Sequence, residues 1–128
     1  MKHDFNGDIA FVSGAGRGFG RMAAERLATA GAHVVISDLT SDAVAATVAA
    51  IRSAGGKADG LAGDIALEET SQRLAQFIGE RHGRLDIAIN NAGIVQPQRR
   101  LHDTDSDLAA RVIAVDLMGV FHAMKHQI

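Results

Sequence analysis

Apolar positions along this chain gather into short runs with little polar alternation, and the stretches between those runs carry helical spacing. Ile9-Ala10-Phe11-Val12, Ala32-His33-Val34-Val35-Ile36-Ser37 and Leu85-Asp86-Ile87-Ala88-Ile89 are the clearest runs. Such runs suit strands buried on both faces, as in a parallel sheet covered by crossover helices. The pattern predicts strands over 8–13, 32–37, 57–61 and 85–89, the third short. It predicts helices over 17–30, from Thr40 or Ser41 to 54, over 67–82, and from 105 to the end of the chain. Gly31, Gly55-Gly56 and Gly83 stand where helix C-termini favour glycine, and Glu68 and Glu69 sit in a first turn where acids suit the dipole. Thr104 with Asp107 three residues on resembles a capping box, with Asp in place of the usual Glu. Four β-α units with right-handed crossovers make an α/β fold, a doubly wound parallel sheet of strand order 3-2-1-4, as a single domain over 1–128. Its ligand crevice is expected beyond the carboxyl ends of strands 1 and 4, where the winding reverses.

The last helix departs from simple amphipathicity. Val112, Ile113, Val115, Leu117, Met118, Val120, Phe121 and Met124 run most of the way round it, so one face is expected on the sheet and another against something else.

Composition narrows the function without deciding it. At 128 residues the chain can bury its own core. A formal net charge of −2, no Trp, no Tyr and five Phe leave neither a basic field nor a stacking platform for nucleic acid. No apolar run reaches membrane-spanning length, and the stretch Met1 to Asp8 lacks the apolar core of an export signal, so a cytoplasmic protein is expected. There is no cysteine, hence no disulfide or thiolate chemistry. His122 and His126, four apart, are the best metal pair among six histidines; with no third ligand near them in sequence they are expected to be solvated, and no metal is expected.

Ser13-Gly14-Ala15-Gly16-Arg17-Gly18-Phe19-Gly20 joins the first strand to the first helix. A glycine turn opening into a helix offers free backbone N–H groups and the positive end of a dipole to a phosphate or pyrophosphate. A purely structural turn has the same look. Asp38, eighteen residues after Gly20, ends the second strand where an acid can accept from ribose hydroxyls. Each such bond to a charged acceptor contributes roughly 1.5–3 kcal/mol. A 2′-phosphate about 4 Å from Asp38 would cost on the order of 4 kcal/mol at an effective dielectric near 20, so NAD is expected over NADP. Arg17 argues the other way, since it can neutralise that phosphate, or simply lie exposed. Asp64 can accept from an adenine amino group with Ile65 against the ring, or can cap the turn into the next helix. Asn90 and Asn91 can be turn formers, or can tie the fourth strand to the glycine turn through their amides.

Ser13-Gly14-x-x-x-Gly18-x-Gly20, Asp38, Asp64-Ile65 and Asn90-Asn91-Ala92-Gly93, in this order and spacing, resemble the short-chain dehydrogenase/reductases from about residue 7 onward. Ser13 replaces the family's usual Thr, and Phe19 its common Ile. The resemblance implies that Ser13, Gly14, Arg17, Gly18, Phe19 and Gly20 hold pyrophosphate, Asp38 ribose, and Asp64 and Ile65 adenine, with Asn90, Ala92 and Gly93 beside the cofactor. It also implies hydride transfer between NAD(H) and an alcohol or ketone by an Asn-Ser-Tyr-Lys tetrad, and a homo-oligomer joined through the last helix. Asp116 stands at the position of the tetrad Asn; ionised, it accepts but cannot donate. The Tyr-x-x-x-Lys would fall beyond Ile128, and these residues hold no tyrosine. The expectation is therefore a truncated, cofactor-binding half that is inactive alone, with an uncovered edge along the fourth strand. The competing readings are a non-catalytic nucleotide-binding or interaction module that oligomerises, and a methyltransferase, against which Asn90 to Gly93 argue.

Overall fold

The computed structural model describes residues 4–128; the first three, part of the stretch read for an export signal, lie outside it. Strand β1 (Ile9–Ser13) leads through the glycine turn to helix α1 (Gly18–Thr29), followed by β2 (His33–Ser37), α2 (Ser41–Ser53), β3 (Lys57–Gly60), α3 (Glu68–His82) and β4 (Ile87–Ile89). All pairings are parallel and the order is β3-β2-β1-β4, the doubly wound arrangement the apolar pattern predicts. Boundaries shift by one or two residues. Thr40 is the cap of α2, its hydroxyl accepting from the Ala43 N–H at 3.3 Å.

The pleat sorts the strand residues between two layers. Ala10, Val12, Val34 and Ile36 face α1 and α2, meeting Ala24, Ala28, Val44 and Ile51. Phe11 and Val35 face the other way, onto Leu74 and Ile78 of α3. Every strand residue in this set is sealed from solvent, which explains why β1 and β2 read as unbroken apolar runs. Burying each of these larger side chains stabilises the fold by roughly 1.5–3 kcal/mol.

Two local expectations need correction. The last helix is not uniform: α4 (Ser106–Ile113) passes into α5 (Gly119–Gln127) through one wider π turn, Ala114–Met118, with helical backbone throughout. A π turn absorbs one extra residue without breaking the helix. Nor is there a capping box at Thr104: Asp105 is the cap residue of α4 and no side chain caps it, while the Thr104 hydroxyl donates back to the Arg100 carbonyl at 3.1 Å. That local bond, closing the short 3₁₀ turn Leu101–Asp103, competes for the hydroxyl the box would have used.

This helix has one buried face and one open face. Val115, Gly119 and Ala123, four apart, point inward and are buried. Ile113, Leu117, Phe121 and Met124 are each more than half exposed. No helix among the described residues is long and apolar enough to cross a membrane.

Candidate functional site

A cleft of about 340 Å³ opens where β1 and β4 diverge, at the carboxyl ends of the strands. One wall is the glycine turn. Gly14 takes φ +64°, and a Cβ there would stand 2.8 Å from the Ala92 Cα, so the turn can lie against the segment after β4 only without a side chain. Gly20 is buried against the Gly14 carbonyl for the same reason. The turn is then fastened from both sides. The Ala15 N–H donates to the Ser37 carbonyl at 3.1 Å, and the buried Thr47 hydroxyl donates to the Ala15 carbonyl at 2.9 Å.

Across the turn, Asn91 donates from Nδ2 to the carbonyls of Ser13 and Gly14, both at 3.2 Å, and the Ala92 N–H donates to the Ser13 hydroxyl at 3.0 Å. The tie between the fourth strand and the glycine turn is therefore made by Asn91. Asn90 does not line the cleft. It forms a reciprocal amide pair with Gln127 of α5, at 3.0 and 2.9 Å. Successive residues of an extended chain face opposite ways, so only one of the two asparagines can face the turn.

The N-terminus of α1 meets the cleft with no side-chain cap and no acid in its first turn. Its first N–H groups are thus without helical partners, and the dipole ends there unopposed. Opposite stands Asp38, whose Oδ2 accepts from the Gly16 N–H at 2.8 Å and whose Oδ1 accepts from the Leu39 N–H at 2.7 Å. A carboxylate offers about four acceptor positions, so two such bonds orient the group and leave capacity for hydroxyl donors. Arg17 and Phe19 are exposed at the mouth, Phe19 to 67 %.

Asp64 is shared between both of its sequence readings. Its Oδ1 accepts from the Ala66 N–H at 3.0 Å, shaping the turn into α3, while its Oδ2 pairs with the Arg111 guanidinium at 2.9 Å. Burial pushes this carboxyl up, but the Arg111 hydrogen bond, the Ala66 N–H and the Arg111 charge together hold it below its ordinary value. Ile65 lies beside it in the cleft wall, and a Cβ on Gly119 would stand 3.1 Å from the Ile65 side chain, so the glycine lets the last helix pass close to it.

Asp116 lies in the π turn, and its Oδ1 accepts from the Ile94 N–H at 2.8 Å. It does not line the cleft; it pins the loop that carries Ala92 and Gly93 along the wall. Ser13, Gly14, Arg17, Gly18, Phe19, Gly20, Asp38, Asp64, Ile65, Ala92 and Gly93 all border the cleft, joined by Asn91, Ile94, Arg111 and Val115. Arg111 carries no sequence signal, because its partner Asp64 lies 47 positions away on another element.

The family model for short chain dehydrogenases matches residues 8–128. The chain belongs to that family. An uncharacterized oxidoreductase, YxbG, of Bacillus subtilis is 40 % identical over 119 residues, covering 93 % of this short-chain dehydrogenase chain and 44 % of its own length. The crystal structure of a short-chain dehydrogenase/reductase from Burkholderia phymatum in complex with NAD superposes with a TM-score of 0.91 at 35 % identity, over 96 % of this chain and 43 % of that one. A metagenomic short-chain oxidoreductase in complex with NADP superposes at 0.90 and 30 % identity, over 94 % and 55 %. The short-chain dehydrogenase chain spans about half the length of the curated relatives it matches.

Proposed function

We propose that this chain is the dinucleotide-binding portion of an NAD(P)-dependent short-chain oxidoreductase, whose longer form moves a hydride between the nicotinamide and an alcohol or ketone. The observation that carries it is the uncapped, acid-free N-terminus of α1 facing Asp38 across one cleft. The first suits a pyrophosphate and the second ribose hydroxyls. Gly14, Gly18 and Gly20 would let the backbone approach the phosphates, and Ser13, Ala92 and Gly93 would flank the cofactor. Asp64 and Ile65 would border the adenine. Asn90 is proposed to act through α5, and Asp116 as a positioning residue rather than one that touches the cofactor.

One solved relative was crystallised with NAD and another with NADP, so the choice rests on this chain's own residues. Asp38 favours NAD. Its carboxylate is fixed by two backbone N–H groups, whereas the exposed Arg17 guanidinium is held by no acidic side chain among the described residues. NADH titration of the chain by fluorescence tests the reading: Asp38→Ala should weaken binding by roughly 10- to 100-fold, the equivalent of about 1.5–3 kcal/mol. NADPH binding as tightly as NADH, or no loss in Asp38→Ala, would overturn the cofactor preference; no binding of either would overturn the reading itself.

The proposal extends to a homo-oligomer formed through α4 and α5, whose outward apolar residues are those a partner would cover, and to a cytoplasmic setting. Light scattering of wild type against Leu117→Lys tests the oligomer. The chain holds no tyrosine to act as the family's acid and base, so the 128 residues alone should show no alcohol-dependent NAD reduction.

A further inference from the structure

On the α3 side of the sheet, at the opposite end of β2 from the dinucleotide cleft, two imidazoles and a carboxylate converge. His33 opens β2, Asp59 lies in β3 opposite Val35, and His82 ends α3. The pleat sends His33 and Val35 to the same face, and Asp59, level with Val35, to that face as well. The C-terminus of α3 brings His82 over them. The His82 Nε2 is 3.1 Å and the His33 Nε2 3.5 Å from one and the same oxygen, Asp59 Oδ2. The three possible ligand atoms all lie within 4.8 Å of one another.

Hydrogen bonding does not satisfy this group. His82 and Asp59 pair, yet the buried His33 Nε2 and the buried Asp59 Oδ1 are both without a hydrogen-bond partner. Two orphaned polar atoms in one partly buried cluster carry a desolvation cost that a bound group would remove. We propose that His33, Asp59 and His82 form a site for one divalent transition-metal ion, zinc by ligand type, with its remaining position open to water.

The ligand chemistry and spacing both fit. Imidazole nitrogen with carboxylate oxygen is a usual zinc donor set, and bonds of about 2.0–2.1 Å in a tetrahedron place ligand atoms roughly 3.3 Å apart. The two nitrogen-to-oxygen separations, 3.5 and 3.1 Å, bracket that value. Burial holds the His33 imidazole below its ordinary pKa, against the pull of Asp59, with His82 and Lys57 adding to the depression; the neutral ring is the metal-binding form. The negative end of the α3 dipole also favours a cation here. Two cations face the cluster: Lys57, the register partner of His33, and Arg81, whose guanidinium lies 4.0 Å from Asp59 Oδ2. Arg81 is mostly exposed and stacked over the Phe77 ring, so it can withdraw when an ion enters. The ion would clamp β2, β3 and α3 together.

The test is calorimetric titration of zinc chloride into the untagged, chelator-treated chain, paired with thermal unfolding. One saturable site per chain is expected, with a zinc-dependent rise in Tm. Binding should weaken at roughly pH 5.5, a unit below the ordinary imidazole value, because metal competes with protons for the rings. His33→Gln, His82→Gln and Asp59→Asn should each weaken binding by more than about 100-fold, the upper end of what loss of a mere outer partner costs. His126→Gln should leave it unchanged, and NADH binding should be unaltered in all four. His33→Gln, altering the most exposed of the three side chains, decides the matter if His82→Gln fails to fold. No saturable binding by folded wild type, binding indifferent to His33→Gln, or binding lost in His126→Gln would each overturn the proposal.

Discussion

On one flank of β1, β2 is paired on both sides, covered on both faces and sealed after its first residue; on the other, β4 is paired on one side only and its three residues are partly or largely open. The amino acids are of the same apolar kind on both flanks. The difference lies in what covers them. Val34 and Ile36 have α1 and α2 above them, whereas Ala88 is exposed and a hollow of about 160 Å³, lined by Phe11, Leu74, Ile78, Leu85 and Ala123, remains between α3 and α5. Beyond it, α4 and α5 present Ile113, Leu117, Phe121 and Met124 to solvent. A fold can thus complete its ligand-facing turn before its outer edge is covered. The glycine turn is braced from β2, α2 and the segment after β4, while the open flank carries surface that other polypeptide must protect if it is not to associate.

The strongest way to break this contrast is to remove one sealed aromatic ring and one open one. Phe11→Ala should cost about 3–5 kcal/mol, since the ring is buried in the layer between β1 and α3. Phe121→Ala, on the open helix face, should change stability by less than about 0.5 kcal/mol. Urea unfolding of both variants measures this, and equal costs would show that the α5 face is covered in solution.

Gly20→Ala should come next, at about 1–3 kcal/mol, because the new Cβ meets backbone and the Asn91 amide, which would stand 2.5 Å away. Unlike Phe11→Ala it should also abolish NADH binding at temperatures where the variant stays folded, as the turn and the β4 segment would be forced apart. Retained binding would separate the turn from the proposed site.

Most of this was readable from the residues because it is local. Unbroken apolar runs identified β1 and β2, the glycine turn announced the first helix, and Asp38 stood at the strand end where the cleft opens. What escaped depends on residues far apart in the chain. Arg111 meets Asp64, and Asn90 meets Gln127, across distances that no spacing rule spans. The π turn is equally invisible, since Ala114 to Met118 have ordinary helical composition; Asp116 within it acquires a partner only when the loop after β4 comes to rest on it. His122 and His126 were expected to be solvated, but both face Glu68, fifty and more residues earlier.

A finer test asks whether the open flank is nonetheless fastened to the closed one. Asp116→Ala removes the acceptor for the Ile94 N–H and should cost about 0.5–1.5 kcal/mol, with faster hydrogen exchange at Ile94. Asp116→Asn keeps an acceptor oxygen and should stay within about 0.5 kcal/mol of wild type. Equal exchange rates in the two variants would assign the effect to charge instead of to this hydrogen bond.

The smallest effect expected is acid-dependent and sits where α5 meets the start of α3. Glu68 accepts from the Lys125 ammonium at 2.7 Å and pairs with the His126 Nε2 at 2.9 Å. The Lys125 hydrogen bond, then that of His126, hold its carboxyl well below the ordinary 4.5, at about 2. A carboxyl whose pKa is lower folded than unfolded binds more protons when unfolded, so its contribution is whole above about 4.5 and is lost as the pH falls towards about 2. The group is exposed, so solvent screens the pair and the effect should be slight. Denaturation of wild type and Glu68→Gln at a series of pH values isolates it: the gap between the two should be constant near neutrality and close through that acid window. A gap that persists below it would mean that Glu68 holds α3 to α5 by packing rather than by charge, and the open flank would then be fastened by the same kind of contact as the closed one.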